Sequence, residues 1–470
     1  MAQSNDADRV TAILASPSVD DLEQGNENIQ RNSPLDPAEW SEVGEQPHFK
    51  ETQSKRNISL KFQQRKKMCV VFVGLLTLFN SVFDSTIPSG GIRSIFAFFN
   101  VEIFGPMSEV YGRRVVMVGT FILFTVFTLA CALSTNWAAF LIFRTIVGIC
   151  ASCPIAVTGG LFSDVYQTPL ARGRMMALSM AVTTAGPQFA PMISGFLAQV
   201  GWRWIFWVSL ILAAVTLGPV LYLPETFAPI LKQANRPKKR VEGILVKAFT
   251  RPVYMIFCEP IISLTCLYLS YAIMYFEAYP LIFQGIYGMS DGIAGLAFLP
   301  IAVGAAIGMI IFLWYDSFLY RAKSQNAEWA FIEEYQRLPL ACLGGPLYVL
   351  ALFWLGWTAS AEIHWIVPML AGIPFGMGFF LIFVALINYL IDAYHKYAAS
   401  AMAAASTCRS IFGAILPLAA SPMFHRLGVN WGTSLLGFLS LLMTFIPFVF
   451  IRYGERIRRR STFRQELEKE

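Results

Sequence analysis

Apolar runs long enough to cross a bilayer recur along this chain, and nothing else in it restricts the fold as strongly. They occupy residues 68–87, 115–134, 137–160, 175–200, 203–222, 253–283, 294–315, 339–357, 363–391, 398–424 and 431–452. A helix needs about 20 apolar residues to span the hydrocarbon core, so each run is one crossing. Several are longer, which implies tilt or kinks. Of 470 residues, 56% are hydrophobic and only 14% charged, where a soluble domain carries ~25% charge. The fold class is therefore all-α and integral to a membrane, with eleven clear spans.

Orientation follows from Lys and Arg, which favour the cytoplasmic side. The net charge of +6 sits in clusters: Lys55 to Lys67 before the first span, Lys232 to Arg251 in the middle loop, and Arg452 to Arg464 after the last. Arg113, Arg114, Arg172, Arg174, Arg321, Lys323, Arg337 and Lys396 belong to the same side. The opposite loops are nearly free of basic residues, Arg203 and Arg426 excepted. The chain divides into a polar N-terminal tail (1–57), a first bundle (58–222), a basic linker (223–252), a second bundle of six helices (253–452) and a C-terminal tail (453–470). The tail's composition predicts disorder, and no signal-peptide pattern opens it. Both termini are expected in the cytoplasm, so the glycosylation sequon Asn57-Ile-Ser59 stays unmodified.

The first half breaks the count. Its two ends are both basic, so an even number of spans must separate them, yet five are found. The missing crossing can only lie in Pro88 to Ser108. The uninterrupted apolar content there is about a dozen residues, which as a helix cover ~18 Å of a ~30 Å core. Arg93, Asn100 and Glu102 interrupt it, and a charge at mid-membrane costs ~2.5–3.5 kcal/mol on insertion scales.

Several function classes drop out. All eight cysteines fall in apolar segments, so no extracellular disulfide framework is visible. Cys150 and Cys153 form a CxxC inside a span, which reads as small-residue helix packing. There is no P-loop, HExxH, GxSxG or zinc-type cluster, which argues against ATP-driven transport and hydrolysis. No enzyme activity, cofactor, metal or nucleic acid is expected. The expected partners are the bilayer and a small molecule, with the chain a monomer. Gly304-xxx-Gly308 and Gly372-xxx-Gly376 read as helix-contact faces.

Two helical halves joined by a basic loop, together with local motifs, resemble the major facilitator superfamily. "GPMSEVYGRR" (105–114) is similar to its signature between spans two and three, with Glu109 where Asp is usual. "FLIFRTIVG" resembles the span-four motif with a buried Arg, here Arg144. "AGPQFAPMISG" resembles the span-five antiporter motif, with Ala190 in place of its second Gly. "GWRWIFWV", "LPETFAPIL", "YFEAYPLIF", "GLAFLP", "LIDAYHKYAASA" and "HRLGVNWGTSLL" narrow the likeness to the fungal twelve-span drug:proton antiporters, which include polyamine and multidrug exporters. The resemblance runs from about residue 68 to 460. It implies a complete second span after "PSG", so roughly 20–25 residues, one crossing, are absent here. A misread gene or a true eleven-helix chain would each explain that.

Such a transporter needs a cavity at mid-membrane between its halves and, if driven by protons, a titratable group inside. Asp84 lies ~24 Å up the first span and Arg144 ~10 Å below the outer end of the fourth. Their depths match, which suggests a pair that loosens when Asp84 takes up a proton; the resemblance also associates Arg144 with proton transfer. Asp84 at a water interface, and an Arg144 satisfied by backbone carbonyls, are the plainer readings. Glu259 and Glu277, near the two ends of the seventh span, are further proton-coupling candidates. Tyr268, Tyr271, Tyr275 and Tyr279 share one helix face, fit either to line a cavity for flat or cationic molecules or to pack against a neighbour. Asn80, Gln188, Asn388 and Arg409 complete the polar cavity candidates. Gly105, Glu109, Gly112, Arg113 and Arg114 form the conformational gate motif: Gly112 permits a tight turn, and Glu109 caps a helix or pairs with Arg. Gly186, Pro187, Pro191 and Gly195 of the antiporter motif kink the fifth span and allow close packing.

The sequence thus points to a proton-coupled exporter of small organic compounds such as drugs, toxins or secondary metabolites, in a fungal plasma membrane or, alternatively, a vacuolar one. A polyamine or organic-acid transporter, a non-transporting sensor and a defective truncated product remain as alternatives.

Overall fold

A computed structural model describes residues 64–86, 107–108, 111–166, 168–226, 254–256, 259–271, 274–394 and 398–460. These residues are nearly all helical, without strands. The first group of helices is α1 (Gln64–Thr86), α2 (Arg113–Leu133), α3 (Trp137–Val165), α4 (Pro169–Val200) and α5 (Trp202–Leu221). The second is α6 (Pro260–Tyr271), α7 (Met274–Pro280), α8 (Asp291–Leu296), α9 (Leu299–Ser324), α10 (Glu333–Thr358), α11 (Ile366–Leu370), α12 (Gly372–Tyr394) and α13 (Ala398–Arg460).

Nine described segments are long and apolar enough to cross a membrane. The expected spans at 175–200 and 398–424 are helical but fall outside that set, within α4 and the first part of α13. Both are rich in Ala, Ser, Thr and Gly. Small and polar residues suit a helix that meets other helices instead of lipid. Helix α13 runs for 63 residues, but Gly428 breaks it with φ 73° and ψ 169°. That kink separates the last two spans where the sequence divides them. The expected 253–283 span is also broken: α7 ends at Pro280 and a π-helical turn, Leu281–Ile286, follows.

The ends bearing Lys66, Arg113, Arg172, Arg321 and Arg337 make up one basic end of the molecule. Helix α1 leaves that end and finishes at the far end, where Asp84 meets Arg144 near the start of α3. Helix α2 begins back at the basic end, where Arg113 meets Asp164 near the end of α3. Arg144 and Asp164 are separated along α3 by ~30 Å at 1.5 Å per residue. The end of α1 and the start of α2 thus lie at opposite ends of the bundle. The segment 87–106 itself, the linker 227–253 and the two tails lie outside the described residues.

Each group buries its own core. Val73, Met117, Phe124, Val147 and Phe162 centre the first; Tyr275, Tyr348, Phe375, Leu386 and Phe450 centre the second. The two Gly-xxx-Gly faces interlock: a Cβ on Gly304 would overlap the Ile373 carbonyl, and one on Gly376 would overlap the Ile301 carbonyl. Helices α9 and α12 thus touch backbone to backbone. Helix α4 forms most of the seam between the groups, lying against α8, α9 and α12.

Candidate functional site

Within the first group, α1 and α3 bring Asp84 and Arg144 together. Arg144 Nη1 lies 2.5 Å from Asp84 Oδ2, and its other terminal nitrogen donates to the Asp84 main-chain carbonyl. The side chains are only 5% and 1% exposed. The guanidinium carbon sits 5.7 Å from the Phe206 ring centre on α5, within cation–π range. Asn136 caps α3 by accepting from the Ala138 N–H at 3.1 Å, which fixes where that helix starts and so where Arg144 falls. Breaking a buried pair by removing one partner costs ~3–5 kcal/mol, because the other charge stays buried. Any event that neutralises Asp84 therefore acts strongly on how α1 holds α3. Beside it, Asn80 Nδ2 reaches Thr216 Oγ1 at 3.4 Å, so this cavity candidate turns towards α5.

The described part of the gate motif is anchored by Glu225. Gly112 adopts φ 100°, a backbone that favours glycine. Behind it, the Glu225 carboxylate accepts from the N–H groups of Arg113 and Arg114, each at 3.1 Å. It caps α2 and offsets the positive end of its dipole. Capping was expected of Glu109, which lies outside the described residues, as does Gly105. Arg113 pairs with Asp164 of α3 through Nε and Nη2. A Cβ on Gly160 would overlap the Arg113 guanidinium, so that glycine makes room for the pair.

The tyrosine stripe packs inward. Tyr271 donates to the Leu436 carbonyl at 2.5 Å. The Tyr275 ring stacks on Phe375 with centroids 3.5 Å apart, and its hydroxyl lies 3.3 Å from that of Tyr279. All four tyrosines, Tyr268 included, are buried in the core of the second group. In this conformation the face lies against neighbouring helices. Glu259 is buried at the basic end and accepts from the Tyr394 hydroxyl at 2.8 Å. Asn388 is buried in α12. The backbones of Glu277 and Arg409 lie in α7 and α13, and their side chains lie outside the described residues.

Helix α4 carries the antiporter motif on two faces. Gly186 meets α1, where a Cβ would come within 2.8 Å of Val82. Gly195 meets the Asp291 carbonyl of α8, and Gly295 of α8 meets the backbone of Pro191 and Met192. At its basic end α4 joins a charge network that the sequence reading missed. Arg174 Nε lies 3.0 Å from Asp316 Oδ2 of α9, and its Nη2 donates to Ser317 Oγ at 3.2 Å. Arg337 of α10 lies 4.0 Å from the other Asp316 oxygen and 3.1 Å from Asp392 of α12. The two groups are therefore tied at both ends of one seam. Between the ties lies Gln188, which is 3% exposed.

Comparison with known proteins gives these features a family. The model of the Major Facilitator Superfamily matches residues 90–417. The chain belongs to the major facilitator superfamily. It is a multi-pass membrane protein. Among its superfamily relatives, the efflux pump FUBT of Fusarium oxysporum is 34% identical over 446 residues, covering 85% of this chain and 75% of that one. The citrinin biosynthesis cluster transporter mrr1 of Monascus ruber is 37% identical over 387 residues, covering 77% of each. The human organic anion transporter MFSD10 (TETRAN) shares the fold, with a TM-score of 0.61 and 18% identity, covering 82% of this chain and all of that structure.

Proposed function

We propose that this chain is a proton-coupled exporter of small organic compounds. The observation that carries the reading is the buried Asp84–Arg144 pair, set in a superfamily fold whose halves meet mainly along α4. Protonation of Asp84 removes the charge that Arg144 Nη1 faces, while the Asp84 main-chain carbonyl and the Phe206 ring stay beside the guanidinium. The packing of α1 on α3 loosens, and Gly186 passes the change to α4 through its contact with α1. Helix α4 then releases one tie of the seam in favour of the other, exposing the space between the halves to each side in turn. The direction, outward from the cytoplasm, rests on the antiporter-like motif in α4 and on the relatives' efflux names. No cofactor takes part; the proton gradient is the driving force, and the basic end faces the cytoplasm of a fungal plasma membrane.

The test is movement of an organic probe in proteoliposomes under an imposed pH gradient. Wild type is expected to move the probe against its concentration gradient. Asp84→Asn is expected to lose gradient-driven movement while still exchanging probe across the membrane. Gradient-driven transport that persists in Asp84→Asn overturns the coupling role.

A further inference from the structure

The substrate class can be narrowed from one residue of the seam. Ala177 and Ala181 of α4 pack on the α9–α12 side, and Pro191, Met192 and Gly195 pack on α8. Gln188 follows Ala181 by seven residues and precedes Met192 and Gly195 by four and seven, so it shares the face that meets the second group. Neither its amide nitrogen nor its amide oxygen has a hydrogen-bond partner among the described residues. Leaving a buried donor or acceptor unmade costs ~1–3 kcal/mol per group. Such a cost is recovered only when something with matching groups comes between the halves.

The surroundings say what that partner is. The charged network at the basic end of the seam lies ~21 Å from Gln188 along α4. Asp84 and Glu259 are each held, by Arg144 and Tyr394. A carboxamide offers one acceptor and one donor side by side and no charge. We propose, as a refinement of the export reading and resting on it, that Gln188 recognises an uncharged organic molecule bearing an adjacent hydrogen-bond donor and acceptor. A hydroxyl beside a carbonyl, a lactam or a protonated carboxyl group fits; a polycation does not.

The test uses the full chain in detergent and in proteoliposomes. Salicylamide is the probe, since its hydroxyl and carboxamide are adjacent and uncharged. Its fully methylated analogue keeps the acceptors without a donor, and spermidine and tetraphenylphosphonium represent cations. Salicylamide is expected to raise the melting temperature of wild type, as any ligand of the folded state does, and the other three are expected to leave it unchanged. Gln188→Met is expected to melt at or above the wild-type temperature without ligand, because two unpaired buried atoms are gone, and to bind salicylamide at least tenfold more weakly. Gln188→Leu is the second variant if the first does not fold. A variant that melts lower without ligand, or that keeps the salicylamide response, overturns the assignment. Salicylamide binding that depends on Gln188 without gradient-driven movement sinks the export reading and leaves the recognition standing. Gradient-driven export of tetraphenylphosphonium without any salicylamide response does the reverse.

Discussion

Arg174 of α4 holds Asp316 of α9 at 3.0 Å, joining the two halves of the protein at their basic end. Exposed pairs contribute ~0–1 kcal/mol, whereas breaking a buried one costs ~3–5 kcal/mol. With side chains 12% and 7% exposed and Arg337 on the other carboxylate oxygen, this pair stands nearer the second case. Arg174→Ala is expected to open the seam at this end. Spin labels on cysteines replacing Arg172 and Arg321 would report a longer distance population, and Arg174→Asp with Asp316→Arg would partly restore the short one. An unchanged distribution in Arg174→Ala would mean that apolar contact alone closes the seam.

Gly160 and Arg113 form a second coupled pair, through space. Gly160→Ala is expected to expel the Arg113 guanidinium and lose its contact with Asp164. The cost should approach that of Arg113→Ala, on the order of 3 kcal/mol. Because the two changes break one interaction, the double variant should melt close to either single one. Additive losses would show that the two residues act separately.

Glu225 should matter for α2 beyond its charge. Its two oxygens take two N–H groups at the start of that helix, so Glu225→Ala is expected to cost about 0.5–2 kcal/mol, as the loss of a cap does. Glu225→Gln, which keeps one acceptor, should lose less. Hydrogen exchange at residues 113–116 would register the difference.

The glycines at helix contacts can be told apart from those facing outward. Gly376→Ala is expected to force α12 off the Ile301 carbonyl and to deplete folded protein on size-exclusion chromatography. A Cβ on Gly119 would meet nothing within 4 Å. Gly119→Ala should therefore be neutral or stabilising by up to ~1 kcal/mol.

Much of this was readable from residue order, and the limits have physical causes. Apolar run length set the helices because the bilayer core imposes it. Charge counting demanded a crossing between α1 and α2, and the anchors at Asp84 and Arg113 stand at opposite ends of the bundle. Matching depths brought Asp84 to Arg144 because a straight helix turns sequence position into height. The same arithmetic could not separate a cavity-lining tyrosine face from a packed one, since both need one helix side. Arg174 and Arg337 entered the reading only as markers of orientation. Their partners Asp316 and Asp392 lie 142 and 55 residues away, and no local spacing predicts such a meeting. Glu225 sat in a stretch noted for its family likeness alone, and Asp164 drew no notice, though the Gly160-to-Asp164 interval of four places a gap and an acid on one helix side.

The two ties along α4 differ in kind. At the far end, Gly195 and Gly295 set backbone against backbone, and no rotamer can lengthen such a contact. It is either seated or parted. At the basic end, long arginine side chains share two aspartates and can trade one oxygen for another as the helices move. Ionic strength weakens partly solvated charges and leaves a fit between carbonyls and glycines untouched. The protein thus has one hinge that yields gradually and answers to salt, and one that snaps and does not. Raising the salt concentration should favour opening at the basic end without any ligand or proton being involved.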